Sequence, residues 1–228
     1  MTIKTGLGKF DSLLKGGIPN KSSVMLLGPP KAGKTLFGLH FLLEGLKSNE
    51  SGVYIVTNNF PEDIVKKMEG IVSIDKILEN GLLRFVDCYS VHAGIHKDNT
   101  AFIIRVGGPT ALTEIGIAFS EVMKKIPEKN NIRVVFDSVS TLLLYNNPRT
   151  IEIFVQQING KMKAGGASSM FIVEEGMHDE KDVTALNSIL DSLIHMKKRG
   201  SGWTIETDGL GLEKNINYSI KDNKIIIG

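Results

Sequence analysis

The chain is short of the residues that staple, anchor or electrically polarise a protein. It holds one cysteine, Cys88, in 228 residues, so no disulfide can close within it. It has no run of about 18 apolar residues, the length that a membrane-crossing helix needs; its apolar stretches are of strand length. No charged leader with an apolar stretch and a cleavage site opens it. These absences make a reduced cytoplasm the expected compartment. Single-sign charge is missing too, since 27 Lys and Arg face 25 Asp and Glu for a formal +2. Nothing in that balance calls for nucleic acid or an anionic membrane as partner. There is no internal repeat or low-complexity tract. What is present, 42% hydrophobic and 23% charged residues, suits one continuous core, and the expectation is a single domain over residues 1–228.

Along the chain, strand and helix patterns alternate. Residues 24–27 are fully apolar and end at Gly28, and Leu36, Leu39, Leu43 and Leu46 then recur at helical spacing. Residues 53–56 predict a second buried strand closed by Asn58 and Asn59; Pro61, Glu62 and Asp63 suit the first turn of a helix to about Met68. Residues 82–86 read as a third strand, and residues 90–109, with three glycines and few apolar runs, as a loop or irregular insert. Leu112, Ile115, Phe119, Val122, Met123 and Ile126 mark one face of a helix whose negative end Lys124 and Lys125 suit. Residues 134–136 predict a strand ending in Asp137, residues 151–162 a helix stopped at Gly165 and Gly166, and residues 169–173 a buried strand ending in Glu174 and Glu175. A helix over residues 183–190 follows. The tail changes character: residues 192–196, 203–206, 216–220 and 224–227 are short strand-like runs, the last two joined by Asp222 and Asn223 as a hairpin turn. The fold class expected is α/β, a mostly parallel central sheet flanked by helices with a C-terminal antiparallel extension.

One motif carries chemistry outright. Gly28, Pro29, Pro30, Lys31, Ala32, Gly33, Lys34 and Thr35 fit the spacing G-x-x-x-x-G-K-[ST], with an apolar strand before and an apolar-periodic helix after. Such a loop needs glycine where backbone amides approach phosphate oxygens, and the following helix aims its positive end at them. Lys34 then neutralises terminal phosphates and the Thr35 hydroxyl ligates Mg²⁺, so the ligand expected is a nucleoside triphosphate, ATP with Mg²⁺. Asp137, at a strand end, is where such folds place the carboxylate that holds the metal; the bland alternative is a turn-capping aspartate.

These two sites lie inside a wider pattern. Residues 5–22, TGLGKFDSLLKGGIPNKS, resemble the T-G-x-x-x-L-D-x-L-L-G-G-G-I-P-x-G-S opening of RecA-type P-loop ATPases, in particular the KaiC-like and RadA-like branch. The resemblance continues through residues 52–64, 108–118, 134–140 and 170–175, nearly the whole chain. It implies a RecA-type core, ATP bound near a subunit boundary, and a homo-oligomer in the form of a ring or filament.

The chain departs from that family at two places. Where KaiC-like domains resemble V-T-F-E-E-x-P, with a glutamate that polarises the attacking water, this sequence has Asn58 and Asn59. An amide cannot take a proton as a carboxylate does, and loss of a positioned base costs about 10² to 10⁴ in rate. The family also tends to carry a lysine and an arginine on a late strand that reach the neighbour's γ-phosphate; the matching residues 203–209 offer Thr207 and Asp208 instead. Glu174 argues back, because the resemblance places its strand between the P-loop strand and the Asp137 strand. It is then either a replacement base or a polar residue bonded to Asp137 or a metal-bound water. Glu175 reads as solvated.

Other residues carry weaker signals. His40 falls inside the first helix as a packed or half-exposed residue. His92 and His96, four apart, could share a helical face as ligands, but Gly94 between them weakens any helix. Lys197, Lys198 and Arg199 are a solvated strand end or a phosphate contact, and Trp203 a core or interface ring. Three functions stay open: an ATP-binding regulatory or scaffolding protein with weak or absent hydrolysis and an unidentified protein partner, an active ATPase using Glu174 or partner residues in a larger assembly such as an archaellum motor, and a RadA-like DNA-binding accessory. Near-neutral charge counts against the last.

Overall fold

The computed structural model describes residues 1–127 and 131–228. The chain opens with β1 (Thr2–Ile3), α1 (Gly8–Leu13) and β2 (Ile18–Pro19), the two strands pairing antiparallel. Asp11 holds this segment together: the backbone N–H and hydroxyl of Thr5 both donate to its Oδ1 at 2.7 Å. Then come β3 (Ser23–Gly28), α2 (Lys34–Lys47), β4 (Ser51–Val56), α3 (Pro61–Glu69), α4 (Asp75–Glu79), β5 (Leu83–Asp87), β6 (Ile103–Arg105) and α5 (Leu112–Lys124). They lead to β7 (Ile132–Asp137), α6 (Val139–Tyr145), α7 (Pro148–Ala164), β8 (Ala167–Glu174) and α8 (Glu180–Ile189). The tail is β9 (Ser192–Arg199), β10 (Gly202–Asp208), β11 (Ile216–Lys221) and β12 (Lys224–Ile227).

Among the described residues the large sheet has ten strands in the order β12-β11-β10-β9-β3-β8-β7-β4-β5-β6. From β9 to β6 all pairings are parallel, and β9 to β12 are antiparallel. This is the α/β arrangement the sequence predicts, with its antiparallel extension. The reason is visible in burial: every residue of β3, β4 and β7 is buried, as strands covered on both faces must be. Side chains alternate between two cores. Val24 and Leu26 point into the one shared with Phe37, Leu39, Ile64 and Met68 of α2 and α3, while Met25 and Leu27 point into the one shared with Phe119, Val155 and Leu186 of α5, α7 and α8. No helix among the described residues is long and apolar enough to cross a membrane.

One expectation fails. The stretch read as a loop or irregular insert, residues 90–109, contains β6, which pairs parallel with β5 at the sheet edge. Three residues, Ile-Ile-Arg, are too few to show a period, and the strand exists through long-range pairing. A buried ion pair fastens it, Arg105 Nε lying 3.4 Å from Asp87 Oδ2 with both side chains almost inaccessible. Oδ1 of Asp87 accepts the N–H groups of Tyr89 and Ser90 at 3.0 and 2.9 Å, starting the turn that leaves β5. The short helices α1, α4 and α6 also escape the sequence pattern. α6 begins directly after Asp137, where the hydroxyl of Ser138 accepts the N–H of Thr141.

What the fold does for function is to align the carboxyl ends of β3, β8, β7 and β4. Gly28 pairs with Glu174 and Val56 with Asp137, so the P-loop, Glu174, Asp137 and Asn58 emerge along one edge, the edge beyond which open α/β sheets place ligands.

Candidate functional site

The loop after β3 has the backbone the motif demands. Gly33 takes φ 93°, a conformation that side-chain-bearing residues rarely adopt, and a Cβ on Gly28 would sit 2.5 Å from the Met196 carbonyl oxygen. Lys31 is also left-handed, at φ 66°, so the chain folds back between Pro29 and Gly33. Pro30 and Lys31 are exposed at the tip, while Ala32 is buried beneath. The helix α2 starts at Lys34 with its first N–H groups directed at the loop. Together these features form a concave set of amide donors at a helix N-terminus, an anion-binding geometry.

The charged groups converge there. Lys34 is buried; its Nζ donates to the Pro29 carbonyl at 2.7 Å and lies 3.0 Å from Glu174 Oε2. The Thr35 hydroxyl donates to Asp137 Oδ2 at 2.8 Å, and the Tyr54 phenol donates to the same oxygen at 2.6 Å. Asp137 is buried, and burial raises its pKa above the usual carboxylate range against the opposing hydrogen bonds of Tyr54 and Thr35 and the charges of Lys67 and Lys34. A cavity of about 330 Å³ joins these parts, with Lys31, Gly33, Lys34, Thr35, Asn58, Asp137 and Glu174 on its wall. Lys67 of α3 and Asn223 of the β11–β12 turn complete it.

The sequence-predicted residues thus share one cavity, with some changes of partner. β8 does run between β3 and β7, and this carries Glu174 to the P-loop. Its carboxylate bonds to Lys34, in place of the bond to Asp137 considered above, and its N–H donates to Ser140 Oγ at 2.7 Å. Asn58 is exposed at the cavity wall, and its Oδ1 accepts from Asn59 Nδ2 at 2.8 Å. Glu175 is only partly solvated: its Oε1 lies 2.8 Å from His195 Nε2 on β9. Burial lowers the pKa of His195, with Glu175 acting the other way. Lys197 and Arg199 do not end in free solvent, because both pair with Glu206 of β10, whose carboxyl they hold at about 2. His92 stacks edge-on against Tyr145, ring centroids 5.1 Å apart.

Thr207 and Asp208 lie short of the P-loop edge: through β9 they are level with Leu26 and Met25 of β3. Asp208 pairs with Leu193 at the start of β9, whereas His195, further along, is level with Leu27 just before the loop.

Tyr54 was not legible as a site residue. Its one signal is an aromatic hydroxyl inside an otherwise aliphatic strand, and a buried phenol needs a polar partner. Lys67 and Asn223 carried no signal beyond their polarity, since only the fold brings them to the cavity.

Comparisons with known proteins agree with this geometry. A family model described as the KaiC ATPase matches residues 3–206. A UPF0273 protein of Pyrococcus furiosus is 33% identical over 172 residues, which is 75% of this chain and 67% of the relative. A UPF0273 protein of Thermotoga maritima is 28% identical over 172 residues, 75% of this chain and 68% of the relative. One of Saccharolobus solfataricus is 26% identical over 225 residues, 98% of this chain and 76% of the relative.

Proposed function

Because the chain belongs to the KaiC ATPase family, with its RecA-type core and P-loop, we propose that it is an ATP-gated regulatory or scaffolding protein that holds Mg·ATP and hydrolyses it weakly or not at all. In this reading the backbone N–H groups that follow Pro30 in the loop and the Lys34 ammonium hold the β- and γ-phosphates. The donor set fits the metal: Thr35 supplies a hydroxyl and Asp137 a carboxylate whose Oδ2 is already oriented by two donors. Mg²⁺ bound there would neutralise phosphate charge. Tyr54 keeps the Asp137 carboxylate pointed at Thr35, and Glu174 occupies Lys34 until a phosphate takes its place.

The observation that carries the reading is at the water-activating position. Asn58 is on the cavity wall with its oxygen engaged by Asn59, and neither amide can accept a proton. ATP then acts by occupancy. Its binding exchanges the Glu174–Lys34 ion pair for a phosphate–Lys34 pair, and the order this imposes on the loop and on the β8 end is the signal. Assembly as a homo-oligomer with nucleotide near the subunit boundary, in the cytoplasm and on a partner protein, completes the proposal. The test is ATP binding and single-turnover hydrolysis on one preparation, with oligomeric state recorded in ATP and in ADP. Tight binding with turnover far below that of active relatives supports the reading; fast turnover that Lys34→Ala abolishes overturns it.

A second reading, an active ATPase with Glu174 as base, draws support from the Glu174 carboxylate on the same wall. It requires Glu174→Gln to remove hydrolysis and spare binding. Unchanged turnover in that variant sinks it.

A further inference from the structure

The family match ends at residue 206, yet the next elements reach back to the P-loop. β11 and β12 form a hairpin whose residues meet the loop at two points and its cavity at a third. The Tyr218 phenol donates to the Ala32 carbonyl at 2.7 Å. Ile220 lies where a Cβ on Gly33 would come within 2.8 Å of its Cδ1. Asn223, at the turn, stands on the cavity wall. Tyr218 is itself well fixed: it is 4% exposed, and its ring lies against Trp203 with centroids 6.2 Å apart.

The bond to Ala32 has a directional consequence. In a trans peptide the C=O and the next N–H point in opposite directions. Holding the Ala32 carbonyl toward β11 therefore turns the Gly33 N–H away from β11. Gly33 lines the cavity, so the N–H it presents is one of the donors a polyphosphate would meet. Glycine places little steric limit of its own on this peptide, which at Gly33 takes φ 93°.

We propose that Tyr218 is a positioning residue for polyphosphate binding, pinning the Ala32–Gly33 peptide so that the Gly33 N–H is held ready for the ligand, and that the C-terminal hairpin is a clamp on the P-loop. The proposal rests on the reading that the loop takes phosphates. Binding to a loop already set pays no ordering cost, and so the clamp acts on affinity more than on stability.

Tyr218→Phe keeps the ring and removes the donor. Its Kd for ATP, and for inorganic pyrophosphate, which has no base or ribose, should rise about five- to tenfold, the value of one hydrogen bond. Its Tm without ligand should change little. Ile216→Val, in the same hairpin and buried at 5% exposure, is the control. It loosens packing without touching Ala32, so it should lower Tm and leave both Kd values in place. Equal pyrophosphate affinity in Tyr218→Phe and wild type overturns the inference, as does a rise in Kd of the same size in Ile216→Val. Wild-type protein that binds neither ATP nor pyrophosphate overturns the phosphate reading and this inference with it.

Discussion

The two ends of the cavity are built to different standards. At the gripping end, Lys34, Thr35 and Asp137 are each held by at least one hydrogen bond of 2.6–2.8 Å, and Lys34 and Asp137 are buried. At the cutting end stand Asn58, exposed and bonded to its own neighbour, and Glu174, tied to Lys34. Orientation and burial are what make a catalytic group effective, and here they are invested in holding a ligand. In the function proposed above, the site keeps its binding half in full order while an amide stands at the position of the base.

The strongest way to break this contrast is to restore the cutting end. Asn58→Glu puts a carboxylate on the wall beside the terminal phosphate. If the amide is what limits hydrolysis, single-turnover rates should rise by about 10², toward the lower end of what a positioned base contributes. No acceleration, with ATP binding intact, would place the deficit elsewhere, Thr207 and Asp208 being the next positions to vary. Removing the gripping end comes second. Lys34→Ala deletes a charge-assisted contact and leaves Glu174 without its partner, and the Kd for ATP by calorimetry should rise roughly 100-fold, the loss of two to three kcal/mol for a hydrogen bond to a charged group plus the uncompensated carboxylate.

Glu174→Gln should move the other way. A phosphate must displace the carboxylate from Lys34 and tolerate its negative charge, so a neutral amide should tighten ATP by about five- to tenfold with hydrolysis unchanged. Weaker binding would mean that Glu174 assists the ligand and does not compete with it.

Legibility follows the same divide. The P-loop could be read because its spacing encodes a backbone requirement, and Asp137 because a P-loop upstream gives a strand-end carboxylate a metal to hold; Asp87, also at a strand end, caps a turn instead. The position of β8 beside β3 followed from the family resemblance, and the turn at Asp222 and Asn223 from residues that tolerate left-handed φ, which both adopt. What stayed hidden depends on partners distant in sequence. β6 is a strand only because β5 is beside it, Glu175 finds His195 across 20 residues, and Tyr218 finds Ala32 across 186. Period and propensity are local quantities, and none of these contacts is local.

The smallest expected effect concerns stability, and its sign tests whether Asp137 is kept for binding at a cost to the fold. Burial raises its pKa in the native state. As pH rises, the unfolded chain therefore loses this proton first, and between the ordinary carboxylate value and the raised native one the folded protein binds more protons than the unfolded. Stability falls with rising pH across that window, and the full penalty remains above the native pKa. Asp137→Asn removes the penalty. Without ligand or metal, its Tm should match wild type at low pH and exceed it at neutral pH by roughly 2–4 °C, the shift that about 1 kcal/mol makes in a chain of this size. The same variant should lose the Mg²⁺-dependent part of ATP affinity, because a neutral amide does not replace a carboxylate toward the cation. A lower Tm for Asp137→Asn at every pH would mean that the hydrogen bonds from Thr35 and Tyr54 outweigh the burial of the charge, and that Asp137 serves the empty fold as well as the ligand.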